Sequence, residues 1–276
     1  MLQVERQRKI LELLEERPAL TVNELHEMMG VSRETIRLDL RLLEKEGLII
    51  RSHGGAVRMD GQEADRGFTQ REREYPEQKR AIARAALAYI KPGDLIMMDA
   101  STTVLALARL LPRNFRLTVV TNSIAVPVVL AERDDLTVIA TGGILRPRSR
   151  CYYGPHAEEI FTTLHAHKAF VSCQGIDAIH GVTESNPLDS QVKLRMVEAT
   201  SELIVLADRR KLGNVSLMSF APLGKVSRLI TDEGANPGQV AALCEAGLVV
   251  ELAGLNNLAE IGDLRAKAGE GGNQVG

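Results

Sequence analysis

"GVSRETIRLDLRLLEKEGLIIRSHGGAV", residues 30–57, is the stretch on which the reading of this chain turns. Ser32 can cap a helix, and Ile36, Leu40 and Leu43 follow at i, i+4 and i+7 as a buried stripe. At about 100° per residue, Glu34, Arg37, Leu38 and Arg41 lie away from that stripe, with Ser32 and Arg33 in the first turn. Gly47 stops the helix. Leu48–Arg51 starts a short strand, and His53-Gly54-Gly55 reads as a hairpin tip. Upstream, Ile10, Leu13 and Leu14 mark a first helix ended by Pro18. Thr21 caps a second, with Glu24 as its capping-box partner. Val22, Leu25 and Met28 or Met29 face inward there, and Gly30 suits the turn that follows.

Two short helices joined by a tight turn, followed by a basic ribbon, suit a helix-turn-helix that lays its second helix in the major groove of duplex DNA. The helix N-terminus favours phosphate, and arginine can grip guanine bidentately. Arg51, His53 and Arg58 could hold backbone or reach the minor groove, with glycines 54 and 55 allowing close approach. The same spacing suits a three-helix unit with solvated charges. Net charge does not decide between them. Residues 1–58 carry ten Lys/Arg and ten Asp/Glu, while Gly30–Arg58 has six against four.

The full chain has 276 residues, 45% hydrophobic and 25% charged, with a formal charge of -2 and no Trp. That suits a soluble protein with an aliphatic core. Cys151, Cys173 and Cys244 are odd in number and widely spaced, which argues against a disulfide framework or zinc site and for a cytoplasmic setting. The charged N-terminus is not a signal region, and no stretch is apolar enough to span a bilayer. Neither a cofactor nor a metal is expected. His165 and His167 lack ligating partners, and Cys173 reads as a small core residue.

Residues 58–75 are polar and read as a linker in which Phe68 is the one large apolar residue. From Pro76 apolar runs of strand length alternate with helical segments, the pattern of a parallel sheet covered by helices. The boundaries drawn are 1–57, 58–75, 76–253 and a tail at 254–276. "MMDASTT" (97–103) is a strand end opening a helix, where Ser101, Thr102 and Thr103 could cradle phosphate or merely cap. "VVTNS" (119–123), "ATGG" (140–143), "SCQGID" (172–177) and "LADRRKLG" (206–213) also follow apolar strands. Ligands of open α/β sheets sit outside such carboxyl ends.

Val31-Ser32, Thr35-Ile36-Arg37, Asp39-Leu40, Leu43-Glu44, Gly47-Leu48, Arg51 and His53-Gly54-Gly55-Ala56 resemble the N-terminal signature of the DeoR family of bacterial sugar-operon regulators. Leu38 stands where that family has a second Arg. The resemblance implies a winged helix-turn-helix contacting operator DNA through Ser32, Arg33, Thr35, Arg37, Arg41, Arg51, His53, Gly54 and Gly55. It extends over residues 76–232. There it implies an α/β effector domain similar to ribose-5-phosphate isomerase and coenzyme A transferases, binding a phosphorylated sugar, in a homo-oligomer that matches symmetric half-sites. The implied effector residues are Asp99, Ser101, Thr102, Thr103, Thr121, Asn122, Gly142, Gly143, Gln174, Gly175, Asp177 and Lys211, with Asp208 beside the last. "DASTT", "LARLLP" and "SCQGID" look closest to the fucose-operon regulators, implying a phosphorylated deoxy-sugar.

An enzyme is the alternative. The isomerase's Asp-Gly-Ala-Asp loop corresponds to Gln174-Gly175-Ile176-Asp177. Its Glu-Lys pair falls on Val192-Lys193, which removes the base, although Glu184 and Asp189 lie nearby. Asp177 is then expected to accept a sugar hydroxyl rather than to catalyse.

Overall fold

The computed structural model describes residues 3–16, 19–45, 49–52, 55–58 and 67–255. The chain divides into two compact units, Met1–Gly67 and Phe68–Gly276.

The first unit follows the apolar periods of the sequence. Helix α1 (Gln3–Glu16) is followed by strand β1 (Ala19–Thr21), then helices α2 (Val22–Met29) and α3 (Arg33–Lys45), then strands β2 (Ile49–Ser52) and β3 (Gly55–Arg58). Thr21 and Glu24 form the expected capping box on α2, and Gly30 closes it in the left-handed conformation at φ +65°. Ile10, Leu14, Val22, Leu25, Ile36, Leu40 and Leu43 are buried together. Of the two methionines weighed for the inward face of α2, Met29 packs on this core and Met28 is exposed. The sequence pointed to a two-stranded ribbon. The structure adds β1, and the sheet runs β1-β3-β2 with Leu20 opposite Ala56. That pairing brings Leu20, Ile49 and Ala56 under the helices.

In the second unit helices α4 (Phe68–Arg73) and α5 (Pro76–Ala86) precede an alternating series. It comprises β4 (Leu95–Met98), α6 (Thr102–Ala108), β5 (Thr118–Thr121), α7 (Ala125–Leu130), β6 (Thr137–Ala140), β7 (Ile144–Arg146), β8 (Cys151–Tyr153) and α8 (Pro155–Thr163). It continues with β9 (Ala166–Val171), β10 (Gly175–Asp177), β11 (Gly181–Glu184), α9 (Pro187–Glu198), β12 (Thr200–Leu206), β13 (Met218–Ala221), β14 (Arg228–Asp232), α10 (Pro237–Glu245) and β15 (Val250–Ala253).

Seven strands form one parallel sheet in the order β15-β14-β12-β9-β4-β5-β6. Alternate residues face opposite sides, as strand geometry requires. Met97, Ala169, Val171 and Val205 pack on one face with Phe161, Val192 and Met196, while Ile96, Met98, Phe170 and Ile204 pack on the other with Ile82 and Val104. From β4 the chain winds outward through β5 and β6, then returns to β9 on the other flank of β4. The winding direction therefore reverses between β4 and β9, where open α/β sheets form a ligand crevice beyond the carboxyl ends.

The segment read as a linker is in part an element of this unit. Phe68 is 1% exposed, and its N–H donates to the Arg148 carbonyl at 2.9 Å. Burial of that ring offsets the ordering of six polar-rich residues. Of the tail expected at 254–276, residues 256–276 lie outside the described residues. Among the described residues no helix is long and apolar enough to cross a membrane, and no cluster of side chains could hold a metal ion.

Candidate functional site

Helix α3 presents the face that the sequence indicated. Ser32 Oγ accepts the Thr35 N–H at 3.1 Å and caps it. Arg33, Arg37 and Arg41 are exposed, and Leu38, in their midst, is 49% exposed. Glu34 holds two of the arginines, Arg37 at 3.2 Å and Arg41 at 3.4 Å. Such solvated pairs contribute little stability and exchange readily for other anions.

The ribbon is partly described. Arg51 lies on β2, but its side chain, like His53 and Gly54 entirely, is outside the described residues. Gly55 corrects the expectation of close approach to DNA. It is buried, and a Cβ there would stand 2.4 Å from the Leu20 carbonyl oxygen. Its glycine is required by the third strand, β1.

Asp39 was missed as a working residue. Fully buried, it accepts the Arg6 guanidinium through Nε and through Nη2 at 3.1 Å, tying α1 to α3. A signal existed. Asp39 falls three residues after Ile36 and directly before Leu40, on the inward face, where a carboxylate needs a cation.

In the second unit the strand-end residues do converge on one sheet edge. Asp99, directly after β4, is 1% exposed. One of its oxygens accepts the Ser101 N–H at 3.0 Å and the other the Ser172 N–H at 2.9 Å, bridging the ends of β4 and β9. Ser101 caps α6 through Val104 N–H at 3.2 Å, with Thr102 and Thr103 nearly buried behind it. Thr121 Oγ1 accepts the Ser123 N–H at 3.0 Å. Asn122, after β5, is 5% exposed; its Nδ2 donates to the Tyr152 carbonyl and its Oδ1 has no partner. Gly142 and Gly143, at φ +63° and +108°, turn the chain into the β7–β8 ribbon, which returns over the edge through Tyr152 N–H to the Asn122 carbonyl at 2.7 Å. After β12, Lys211 Nζ donates to Gln174 Oε1 at 2.7 Å, and Asp208 holds Arg210. Four strand spacings, about 19 Å, separate β6 from β12, more than one sugar phosphate covers. Asp99, Ser101, Asn122 and Gln174 flank the reversal point itself, and Lys211 reaches it through Gln174.

Two of the expected contacts also have structural roles. Gly175 is required because a Cβ would meet the Asn214 carbonyl oxygen at 2.2 Å. Asp177 lies at the far end of the β10–β11 hairpin, opposite Gly181. Its Oδ1 accepts the N–H groups of Ile179 and His180 and lies 2.7 Å from His180 Nδ1, bonds that hold its carboxyl below the ordinary range. It serves its own turn.

The hairpin brings a carboxylate, Glu184, to Lys193, one of the two acids the sequence placed near it. Lys193 is buried, and its Nζ donates to the Ser172 carbonyl at 2.8 Å and to Glu184, with Asp99 at 3.4 Å. Burial opposes both charges. It raises the Glu184 pKa, but the Lys193 ammonium and the Ser185 N–H outweigh it and leave Glu184 below its ordinary value. Burial lowers Lys193, and Glu184 and Asp99 more than restore it. Asp189 beside them accepts Arg146 at 3.1 Å and is held up by burial. Burial also pushes the Cys151 and Cys173 thiols up to about 12, which leaves them protonated and unreactive.

The comparisons with known proteins cover both units. A family model described as the DeoR-like helix-turn-helix domain matches residues 6–62, and one described as the DeoR C terminal sensor domain matches residues 74–233. The HTH-type transcriptional regulator YulB of Bacillus subtilis is 44% identical over 243 residues, 88% of this chain and 94% of that protein. The L-fucose operon activator of Escherichia coli is 34% identical over 230 residues, 83% and 94%. A solved D-ribose-5-phosphate isomerase in complex with phospho-erythronic acid is similar over 49% of this chain and 53% of that one, with 15% identity and a TM-score of 0.37.

Proposed function

The chain belongs to the DeoR family of DNA-binding transcriptional regulators, and from that premise we propose that a phosphorylated sugar, bound where β4 meets β9, controls its grip on operator DNA. The observation that carries the effector reading is the Asp99–Ser172 bridge at the reversal of winding, flanked by the unpartnered Asn122 oxygen. A buried amide oxygen without a partner is costly, and a ligand hydroxyl would satisfy it. The Ser101 cap adds a hydroxyl at the same edge.

Operator contacts fall to Ser32, Arg33, Thr35, Arg37 and Arg41 on α3, with Arg51 and His53 on the ribbon. A homo-oligomer in the cytoplasm fits this role, since symmetric half-sites require paired readers. The effector shifts DNA affinity only by the difference in its affinity for two arrangements of the protein.

Catalysis is the weaker alternative. A base must face a carbon-bound proton with a free lone pair. Asp99 is fixed by two backbone N–H groups, and Glu184 is paired with Lys193, which holds its pKa below the ordinary value and makes it a weak base. The test is thermal denaturation of the full chain with fuculose 1-phosphate, ribose 5-phosphate, glucose 6-phosphate or inorganic phosphate, run beside an aldose–ketose assay. Stabilisation without turnover is the expected result. Turnover would establish the enzyme instead.

A further inference from the structure

The outward face of α3 carries one residue that the arginine contacts do not account for. Ile36, Asp39, Leu40 and Leu43 are buried on one side of the helix, and at about 100° per residue Glu34, Leu38 and Arg41 fall on the opposite side. Leu38 is 49% exposed there, so it is not a fringe of the buried stripe. Among the described residues of the first unit, Met28 and Leu38 are the exposed large apolar side chains, and Leu38 is the one on α3. Helix formation does not call for it, since arginine or lysine would serve a solvated helical position as well.

Its surroundings select the surface that covers it. Arg33, Arg37 and Arg41 are exposed on the same helix, a charge pattern that complements the phosphates lining a DNA groove. Base edges in the major groove present donors, acceptors and one apolar group, the thymine 5-methyl. A leucine side chain neither donates nor accepts a hydrogen bond. Laid against guanine, adenine or cytosine, it strips water from groove polar atoms and returns no partner, which is costly. Laid against thymine, it covers a methyl group that water otherwise surrounds.

We propose that Leu38 is a specificity-determining residue that reads a thymine 5-methyl group in the operator, an apolar contact set among the arginines of α3. This rests on the reading of α3 as the helix that enters the groove, and it adds the base and the atom that one position selects. Loss of the leucine side chain removes preference at that base pair. It removes no phosphate contact.

The experiment selects duplexes from a randomised pool with the full chain, then remakes the selected duplex with each thymine in turn replaced by uracil, which lacks only the methyl. Anisotropy titrations are expected to find a uracil position that weakens wild-type binding about fourfold, the worth of one buried methyl, and shifts Leu38→Ala by less than about 1.5-fold. Leu38→Ala is expected to keep the wild-type salt slope. A wild-type scan in which no uracil matters overturns the proposal and needs no variant to fold. A pool in which nothing is enriched overturns it too, as do equal uracil losses in the two proteins. If those equal losses come with a changed sedimentation of free Leu38→Ala, the leucine belongs to a protein contact instead. Arg37→Ala, titrated beside them, separates the two readings. A reduced salt slope without a uracil effect removes Leu38 alone, whereas an unchanged slope removes α3 from the groove.

Discussion

Asp99 and Ser172, 73 residues apart, are joined by a 2.9 Å hydrogen bond from the Ser172 N–H to a carboxylate that is 1% exposed. The bond closes the seam between β4 and β9, the one place in the sheet where the winding reverses. It makes the seam rigid and leaves a polar rim on either side.

Asp99→Ala follows from that bond. It leaves the Ser101 and Ser172 N–H groups without their acceptor and removes one neighbour of Lys193. We expect a loss of about 3 kcal/mol in urea-unfolding free energy of the full chain and no thermal stabilisation by sugar phosphates.

Lys193→Met tests the buried cluster through pH. In the wild type the Glu184 pKa is below its unfolded value, so its contribution is present above about pH 4.5 and is lost as pH falls through the folded pKa. Without the ammonium, Glu184 is a buried charge lacking its cation, and its pKa rises. The variant is therefore expected to gain stability as pH is lowered from 7 to 5, where the wild type stays level. Urea midpoints across that range give the slope, and parallel slopes would refute the assignment.

On α3, Glu34 neutralises Arg37 and Arg41. Glu34→Gln is expected to raise affinity for duplex DNA. Arg37→Ala should lower it and reduce the salt slope by about one phosphate contact, roughly 0.9 in log–log units. Anisotropy titrations at several salt concentrations measure both. Equal slopes for Arg37→Ala and the wild type would remove Arg37 from the interface.

Gly55→Ala probes the wing from inside. The added Cβ collides with the Leu20 carbonyl oxygen at 2.4 Å, so β1 and β3 must separate. DNA affinity and the stability of the first unit should fall together. Loss of affinity with stability intact would instead indicate that position 55 touches DNA.

Much of this was legible along the chain. The stripes of α1, α2 and α3, the Thr21–Glu24 box, the Ser32 cap and the alternation of strands and helices are local patterns, and each is realised. Phe68 was visible as an apolar residue in a polar stretch, but not what it would pack on. The strand-end loops were read as a group, and their common edge follows from parallel strands. Asp177 closes its own turn through the Ile179 and His180 N–H groups, a role that a carboxylate near a glycine does not display in the sequence.

Local order determined the helices, their caps and the exposed arginine face, because helical and strand periods repeat within a few residues and bury whichever side is apolar. Only the tertiary structure decided that Glu184 meets Lys193, that Arg6 answers Asp39, that β1 fills the space beside Gly55, and that α4 is fastened to the loop after β7 and to the end of β12. Those are meetings of residues distant in the chain or turned by a hairpin. They depend on strand order and register, which the order of residues along the chain does not display.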